Sequence, residues 1–327
     1  MKLLVTGGDG FIGSNFILHT LKNSPKTEII NLDAGFYGSN KLSLEEISNY
    51  DNYKFVKGNI NDSIIVDDLI SKCDAVINFA AESFVDRSIA DAKPFLRSNI
   101  DGVFTILESI KKHKKKFLQI STDEVFGSLD IESASETFQY NPSSPYAATK
   151  ACAEMLVNSY HITYDCDTLI TRCTNNYGPR QFPEKLIPKT ILYAINNKKI
   201  PIYGTGKNIR DWIHVFDHCD AIFQVLKNGK IGSSYNISSD EEVSNEIIIK
   251  KILHIMKKSE KMIEYVKDRP GHDFRYSLDS SKIKKELSWF PKISFDIGLE
   301  NTIKWYLENE QWWKTISHDS LVPSWQK

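Results

Sequence analysis

The 327-residue sequence predicts an α/β protein built on a doubly wound parallel sheet, with a smaller lobe interleaved in its second half. Three observations carry this expectation. Short, almost uninterrupted apolar runs recur through the first half, as strands buried on both faces require. Amphipathic stretches of helical length separate them, so that successive strands run parallel. Beyond about residue 175 the alternation breaks, and Gly178, Pro179, Pro183, Pro188, Pro201, Gly204 and Gly206 crowd a region of loops and short elements.

Strands are expected at 2–6, 28–32, 53–56, 75–79, 117–121 and 167–172, where valine, isoleucine, leucine and phenylalanine dominate. Helices are expected at 11–22, 64–71, 94–113 and 146–164. The third starts on Pro94, a residue suited to a first helical turn because its missing N–H would have no partner there. The reading divides the chain into a nucleotide-binding domain over 1–175 and, over 176–327, a substrate-binding lobe with some segments returning to the first domain. Residues 317–327 read as a terminal extension.

Composition narrows the function. Lysine plus arginine number 41 against 42 aspartates and glutamates, a net charge of −1, so no global basic field favours nucleic acid or an anionic membrane. The run Lys111 to Lys116 falls between a helix and a strand and reads as a solvated turn, where cations suit a helix carboxyl end. Five cysteines, Cys73, Cys152, Cys166, Cys173 and Cys219, show no paired spacing, as expected of a reducing, cytoplasmic setting. The first apolar run ends at Thr6, too short for a signal core or a membrane span. His214 and His218 stand four apart, yet spacing suggests no third ligand, and no metal is expected.

The chemistry begins at the first strand-to-helix turn. Gly7, Gly10 and Gly13 punctuate Gly7-Gly8-Asp9-Gly10-Phe11-Ile12-Gly13, letting backbone N–H groups and a helix dipole approach a pyrophosphate. Asp33 ends the second strand 20 residues after Gly13, placed to accept hydrogen bonds from an adenosine ribose and to repel a 2′-phosphate. The pattern is that of a Rossmann-type fold, and NAD is the expected cofactor. Asn59 and Ile60 follow the third strand and Ala80 and Ala81 close the fourth, where adenine and pyrophosphate would lie.

Two further groups suggest proton transfer. Tyr146 and Lys150 are spaced i, i+4 on one helix face, and a lysine beside a phenol is expected to lower the phenol pKa from about 10. Thr122-Asp123-Glu124 ends the fifth strand with a hydroxyl and two adjacent carboxylates, which a cleft pushes to different pKa values.

Together with Ala80-Ala81-Glu82-Ser83, Val85-Asp86-Arg87-Ser88, Ser144-Pro145-Tyr146, Arg172 to Pro179 and Arg269-Pro270-Gly271-His272-Asp273, these residues resemble the nucleoside-diphosphate-sugar 4,6-dehydratases of the extended short-chain dehydrogenase/reductase superfamily. The resemblance implies a hydro-lyase that keeps NAD bound and acts on glucose carried by dTDP, with UDP a close second. It implies that Tyr146 deprotonates the sugar O4, that Thr122 hydrogen-bonds O4, and that Lys150 tunes Tyr146 and holds the nicotinamide ribose. Glu124 would take the C5 proton and Asp123 protonate the departing C6 hydroxyl. Asn99 is carried over to the cofactor, and Ser83, Asn175, Lys185, Leu186, Pro201, Tyr203, Arg210, Asn245, Arg269 and His272 to the nucleotide sugar.

A homodimer formed through the two long helices is implied as well. The sequence departs from the family pattern at Ala34, Phe36, Asn59, Phe84 and Phe126, where lysine, threonine, aspartate, histidine and tyrosine are usual. Two rivals remain at this point. A sister epimerase or decarboxylase would share Tyr146 and Lys150 without needing the two acids, and a non-catalytic NAD sensor would need neither pair.

Overall fold

The structure is a computed structural model that describes residues 1–316. Its first half alternates as the apolar pattern predicts: β1 (Lys2–Thr6), α1 (Phe11–Asn23), β2 (Glu28–Asp33), β3 (Tyr53–Lys57), α2 (Ser63–Ser71) and β4 (Ala75–Asn78). Then come α3 (Val85–Ala90), α4 (Lys93–Leu96), α5 (Gly102–His113), β5 (Lys116–Thr122), α6 (Pro145–Tyr164) and β6 (Thr168–Cys173). The punctuated remainder holds β7 (Asn175–Tyr177), α7 (Leu186–Ile195), β8 (Ile200–Tyr203), β9 (Ile209–His214), α8 (Val215–Asn228), β10 (Ser234–Ile237), β11 (Glu242–Ser244), α9 (Asn245–Ile255) and β12 (Ile263–Val266). The helices α10 (Ser281–Leu287), α11 (Phe295–Glu308) and α12 (Glu310–Lys314) complete the described chain.

Seven strands form one sheet in the order β10-β6-β5-β4-β1-β2-β3, every neighbouring pair parallel. One apolar cluster on the sheet unites Leu3 and Val5 with Phe16 of α1 and Ile222 and Phe223 of α8. The other unites Leu4 and Val76 with Ile106 of α5 and Val157 of α6. The chain therefore leaves the sheet after β6, builds β7, and returns to it with α8 and β10. A third cluster, around Tyr177, Trp212, Ile248 and Leu299, holds β9, α9 and α11 together as a separate core.

Three details differ from the sequence expectation. The strand β3 is not buried on both faces: it pairs only with β2, and Lys54, Phe55 and Lys57 are exposed, because an edge strand has a neighbour on one side alone. The predicted helix 94–113 is interrupted by a π-turn over Arg97–Asp101. The wider turn lets Asn99 point inward and brings Gly102, which has no Cβ, against Ile60. A 3₁₀ segment, Lys41–Ile47, stands where no element was expected, started by the Asn40 side chain accepting from the Leu42 N–H at 3.1 Å.

Candidate active site

The carboxyl ends of β1, β2, β4, β5 and β6 open into one cleft that runs from the glycine turn to Glu124 and on to Lys185. At its first end Gly7 has φ +70°, and a Cβ there would lie 2.6 Å from the Ala80 nitrogen. A Cβ on Gly13 would run into the Gly7 carbonyl. The turn is thus close-packed in a way only glycine permits. Gly10, the residue before α1, offers no side-chain acceptor, and the first turn of α1 carries no acid, so its N–H groups remain available to an anion.

Asp33 is buried at the same end, its carboxylate accepting from the Asp9 N–H at 3.0 Å and the Gly35 N–H at 2.8 Å. Asp9, which sequence reasoning passed over inside the glycine turn, adds a second acid there. Burial and the charge of Asp33 push its pKa up to about 6. Phe11, Ile12, Asn59, Ile60, Ala80 and Ala81 line this part of the cleft, as expected. The Asn59 side chain accepts from the Asn61 N–H at 2.9 Å. These features fit NAD: a cradle that a Cβ would fill, open helix-start donors, and a buried carboxylate for a ribose.

Asn99 is the exception. Its amide is spent inside the protein, accepting from the Glu82 N–H at 2.9 Å and donating to the Glu82 carbonyl at 3.0 Å and to the Thr149 hydroxyl at 2.9 Å. It does not line the cleft and instead braces the chain after Ala81 against α6.

Midway along the cleft lie Thr122, Asp123, Glu124, Tyr146 and Lys150. The Ser144 hydroxyl caps α6 by accepting from the Ala147 N–H at 3.1 Å, and Pro145 opens the helix, which fixes Tyr146 in its first turn. Lys150, one turn on, donates to the Ile120 carbonyl at 2.6 Å. Burial lowers its pKa to about 8, against the opposing charge of Glu154. The expected lowering of the Tyr146 phenol by Lys150 meets an opposing effect in the fold. Burial, then the charge of Glu124, raise the phenol well above 10, with the Thr122 hydroxyl working the other way. Burial removes water from the phenolate and so disfavours it.

The two acids are held differently. Asp123 is 4 % exposed, accepts from the Thr122 hydroxyl at 3.1 Å, and has its other oxygen buried without a partner. Burial and the Glu124 charge push its pKa up to about 8, so it holds its proton near neutrality. Glu124 is half-buried; desolvation raises its pKa too, but Arg269, Lys185 and Arg210 all pull it back. Burial pushes both carboxyls up, and at Glu124 three cations oppose the rise, so the two neighbours sit in different surroundings.

Of the residues expected at the sugar nucleotide, Ser83, Asn175 and Lys185 line the cleft, Lys185 donating to the Ser83 carbonyl at 3.0 Å. The others lie outside its lining. Leu186 turns into the apolar clusters under α7. Arg210 is buried over the Tyr276 ring and gives its guanidinium to the carbonyls of Ile209, Asp273 and Phe274. Pro201 and Tyr203 belong to β8, and the Tyr203 hydroxyl donates to Asp86 at 3.3 Å. Arg269 donates to Asp86 at 3.0 Å, and His272 bonds Asp268 at 2.6 Å. Asn245 begins α9, its N–H donating to the Asn208 carbonyl at 3.0 Å.

Sequence reasoning gave no role to the groups that hold this arrangement together. Arg87 lies 3.3 Å over the Tyr37 ring, and the Tyr37 hydroxyl donates to Glu184. Cys173 and Asn176 line the cleft beyond β6. The Asn176 oxygen meets His218 Nδ1 at 2.8 Å, while His214 accepts from the Phe216 N–H at 3.3 Å, so the two histidines serve the local chain. The spacing of Glu154, one turn after Lys150, was the only signal for its place behind the site. Of the departures, Phe84 lines the cleft in an aromatic cluster with Tyr37 and Phe182, whereas Phe126 is buried away from it, stacked on Tyr140.

Comparison with known proteins places these features in context. A family model described as GDP-mannose 4,6 dehydratase matches residues 4–302. A dTDP-glucose 4,6-dehydratase of Streptomyces niveus is 44% identical over 97% of this chain and 96% of its own. The crystal structure of a dTDP-glucose 4,6-dehydratase from Streptomyces venezuelae, with NAD bound, superposes with TM-score 0.95 at 41% identity, covering 97% of this chain and all of its own. A UDP-glucose 4-epimerase from Thermotoga maritima, bound to UDP-glucose, is more distant, with TM-score 0.88 and 26% identity over 95% of this chain and all of its own.

Proposed function

The chain belongs to the dTDP-glucose 4,6-dehydratase branch of the GDP-mannose 4,6-dehydratase family, and from that premise we propose how its residues turn dTDP-glucose into the 4-keto-6-deoxy sugar nucleotide. The observation that carries the reading is the pair Asp123 and Glu124, two carboxyls side by side in the cleft that also holds Tyr146 and Lys150, the first pushed up to about 8 and the second faced by three cations. An epimerase has no use for that pair.

The chemistry NAD supplies when bound is acceptance and return of a hydride. The turn at Gly7, Gly10 and Gly13, with Phe11 and Ile12, holds its pyrophosphate, Asp33 its adenosine ribose, and Asn59, Ile60, Ala80 and Ala81 the space between. Tyr146 would take the proton from the sugar O4 as its phenolate, a form that the positive charge of a bound nicotinamide would favour against the effect of burial, while the Thr122 hydroxyl hydrogen-bonds that oxygen. Lys150 holds the nicotinamide ribose. With a ketone at C4, the C5 proton becomes acidic, and Glu124 removes it. Asp123, already protonated, gives its proton to the C6 oxygen, and water leaves. Glu124 would return its proton to C5, and bound NAD would supply the hydride that C6 needs. Because the cofactor is regenerated in each cycle, NAD is expected to copurify and no added reductant to be needed.

Lys185, Arg210 and Arg269 supply positive charge near Glu124 for the nucleotide diphosphate. With Ser83, Asn175, Leu186, Pro201, Tyr203, Asn245 and His272 they form the proposed sugar-nucleotide site. Five of these ten residues come from the chain after Lys185 and before Arg269, so the smaller lobe over 176–327 is read as the substrate lobe. Dimerisation through α5 and α6 is supported by apolar side chains left exposed there, Phe104 and Met155. No described helix is long and apolar enough to cross a membrane. All five cysteines are free thiols, which supports a cytoplasmic setting.

The direct test is incubation of purified protein, without reductant, with dTDP-glucose and separately with UDP-glucose. Loss of one water, read by mass together with the alkali-induced absorbance of a 4-keto sugar, is expected, and faster with dTDP-glucose. An unchanged mass with an epimerised product from either substrate would refute the reading. Light scattering on the same sample should give twice the chain mass of 37.4 kDa.

A further inference from the structure

The motif Val85-Asp86-Arg87 carries two opposite charges in adjacent positions at the start of α3, and neither has a part in the chemistry above. Helix α3 follows β4 and so stands on the wall of the large sheet, yet Asp86 reaches the smaller lobe. Its two carboxylate oxygens are separately engaged. One accepts from Arg269 Nη1 at 3.0 Å, and the other accepts from the Tyr203 hydroxyl at 3.3 Å. The ion pair is largely withdrawn from water, with side-chain exposures of 16% for Arg269 and 13% for Asp86. In such surroundings an ion pair fixes geometry more firmly than a surface pair does.

The rest of the Arg269 guanidinium shows what that geometry is for. Asp86 takes Nη1, while Nε is buried and has no partner in the protein. A buried cationic donor without an acceptor is costly unless a ligand supplies one. A guanidinium presents its N–H groups in a rigid fork, so fixing one arm fixes the direction of the others. The same side chain is the largest favourable charge acting on Glu124, which places it within electrostatic reach of the reacting carbons.

We propose that Asp86 is a positioning residue for substrate: by holding one arm of Arg269 across the boundary between sheet and lobe, it presents the remaining arm to the diphosphate of the nucleotide sugar. The inference rests on the reading of Arg269 as a diphosphate ligand. Asp86 does not touch the substrate, and its effect passes through Arg269. The opposite possibility, that Asp86 competes with the diphosphate for Arg269, has the opposite sign and is open to measurement.

The experiment compares Asp86→Ala, Asp86→Asn, Arg269→Met and the double variant Asp86→Ala/Arg269→Met as NAD-loaded full chains. Each is titrated with dTDP and with thymidine, and KM and kcat are measured with dTDP-glucose. Asp86→Ala is expected to weaken dTDP and raise KM by about tenfold, with thymidine binding, bound NAD and kcat changed less than twofold. Asp86→Asn, which keeps an acceptor for Nη1, should recover most of the loss, and should the alanine variant not fold, Asp86→Leu serves as the test with the same weakening of dTDP expected. The double variant should be no weaker than Arg269→Met alone, because Asp86 acts through that arginine. Unchanged or tighter dTDP binding in Asp86→Ala, or additive losses in the double variant, would overturn the proposal. If Arg269→Met itself leaves dTDP binding unchanged, it is the diphosphate reading of Arg269 that fails.

Discussion

Asp123 shows how much of the site a single environment decides. Two adjacent acids by themselves say only that a cleft would separate their pKa values; it is the family resemblance that names Asp123 as the proton donor. Full burial with one oxygen unpartnered pushes Asp123 up to about 8, which fits the proposed donor, while Arg269, Lys185 and Arg210, distant in sequence, oppose the rise at Glu124. Two outcomes follow from the proton on Asp123. Unfolded, it leaves at pH about 4; folded, it stays until about 8. Between those values the folded chain binds the extra proton, so this residue's contribution to stability falls as pH rises through that window and is flat below it. Asp123→Asn should therefore stabilise the protein at pH 8 by up to about 5 kcal/mol, with no gain near pH 3, as read from urea midpoints. The wild-type rate should decline on the alkaline side with a midpoint of about 8 as the donor is lost. Glu124→Gln should lower turnover by roughly 10²–10⁴. It should also let reduced cofactor accumulate on mixing with dTDP-glucose, since C4 oxidation precedes C5 deprotonation. Normal product yield from that variant would remove Glu124 from the role of base.

At the scale of elements, the parts visible in advance are those whose cause is local. The strands β1, β2, β4, β5 and β6 follow from apolar runs, and α6 from the helical stretch that begins after Pro145. The π-turn over Arg97–Asp101 was not visible, because its cause is tertiary: Gly102 against Ile60 and Asn99 against Glu82. The same holds for the support beneath the site. Glu154 of α6 is fully buried and accepts from the Ser121 hydroxyl at 2.5 Å, the Tyr140 hydroxyl at 2.8 Å and Arg172 Nη2 at 2.6 Å. It thereby ties α6, which carries Tyr146 and Lys150, to the end of β5, which carries Thr122, and to β6. Arg172→Met would leave the Glu154 charge buried with only hydroxyl partners. A loss of about 3–5 kcal/mol is expected by chemical denaturation. Replacing both residues with apolar side chains of similar volume should restore much of that stability. A loss that the double replacement does not reduce would mean that packing, not the stranded charge, sets its size.

For the whole molecule, the consequence of the interleaved chain is that the cleft exists only when both parts are assembled. The cofactor end is built from the first half, at Gly7, Gly13 and Asp33, whereas Lys185 comes from the start of the smaller lobe. Punctuation by proline and glycine after residue 175 announced that lobe, and a return of some segments to the first domain was expected without saying which, since α8 and β10 join the large sheet through contacts no local pattern encodes. Arg210 and Arg269 reach Glu124 from segments more than 80 residues downstream of it, which is why a family resemblance could name them and spacing could not. A ligand that needs both parts binds the folded chain and not the unfolded one, so it must stabilise by RT ln(1 + [L]/Kd). At a hundredfold excess over its Kd, dTDP should add about 2.7 kcal/mol to the stability of the NAD-loaded protein. Thermal unfolding should show this as a rise in Tm of several degrees that grows with the logarithm of dTDP concentration. Removal of NAD should lower Tm by the same logic, and from the other end of the cleft. Were dTDP to inhibit the reaction competitively yet leave Tm unmoved at that excess, the nucleotide would have to bind without engaging the folded lobe, and the placement of the diphosphate among Lys185, Arg210 and Arg269 would fall.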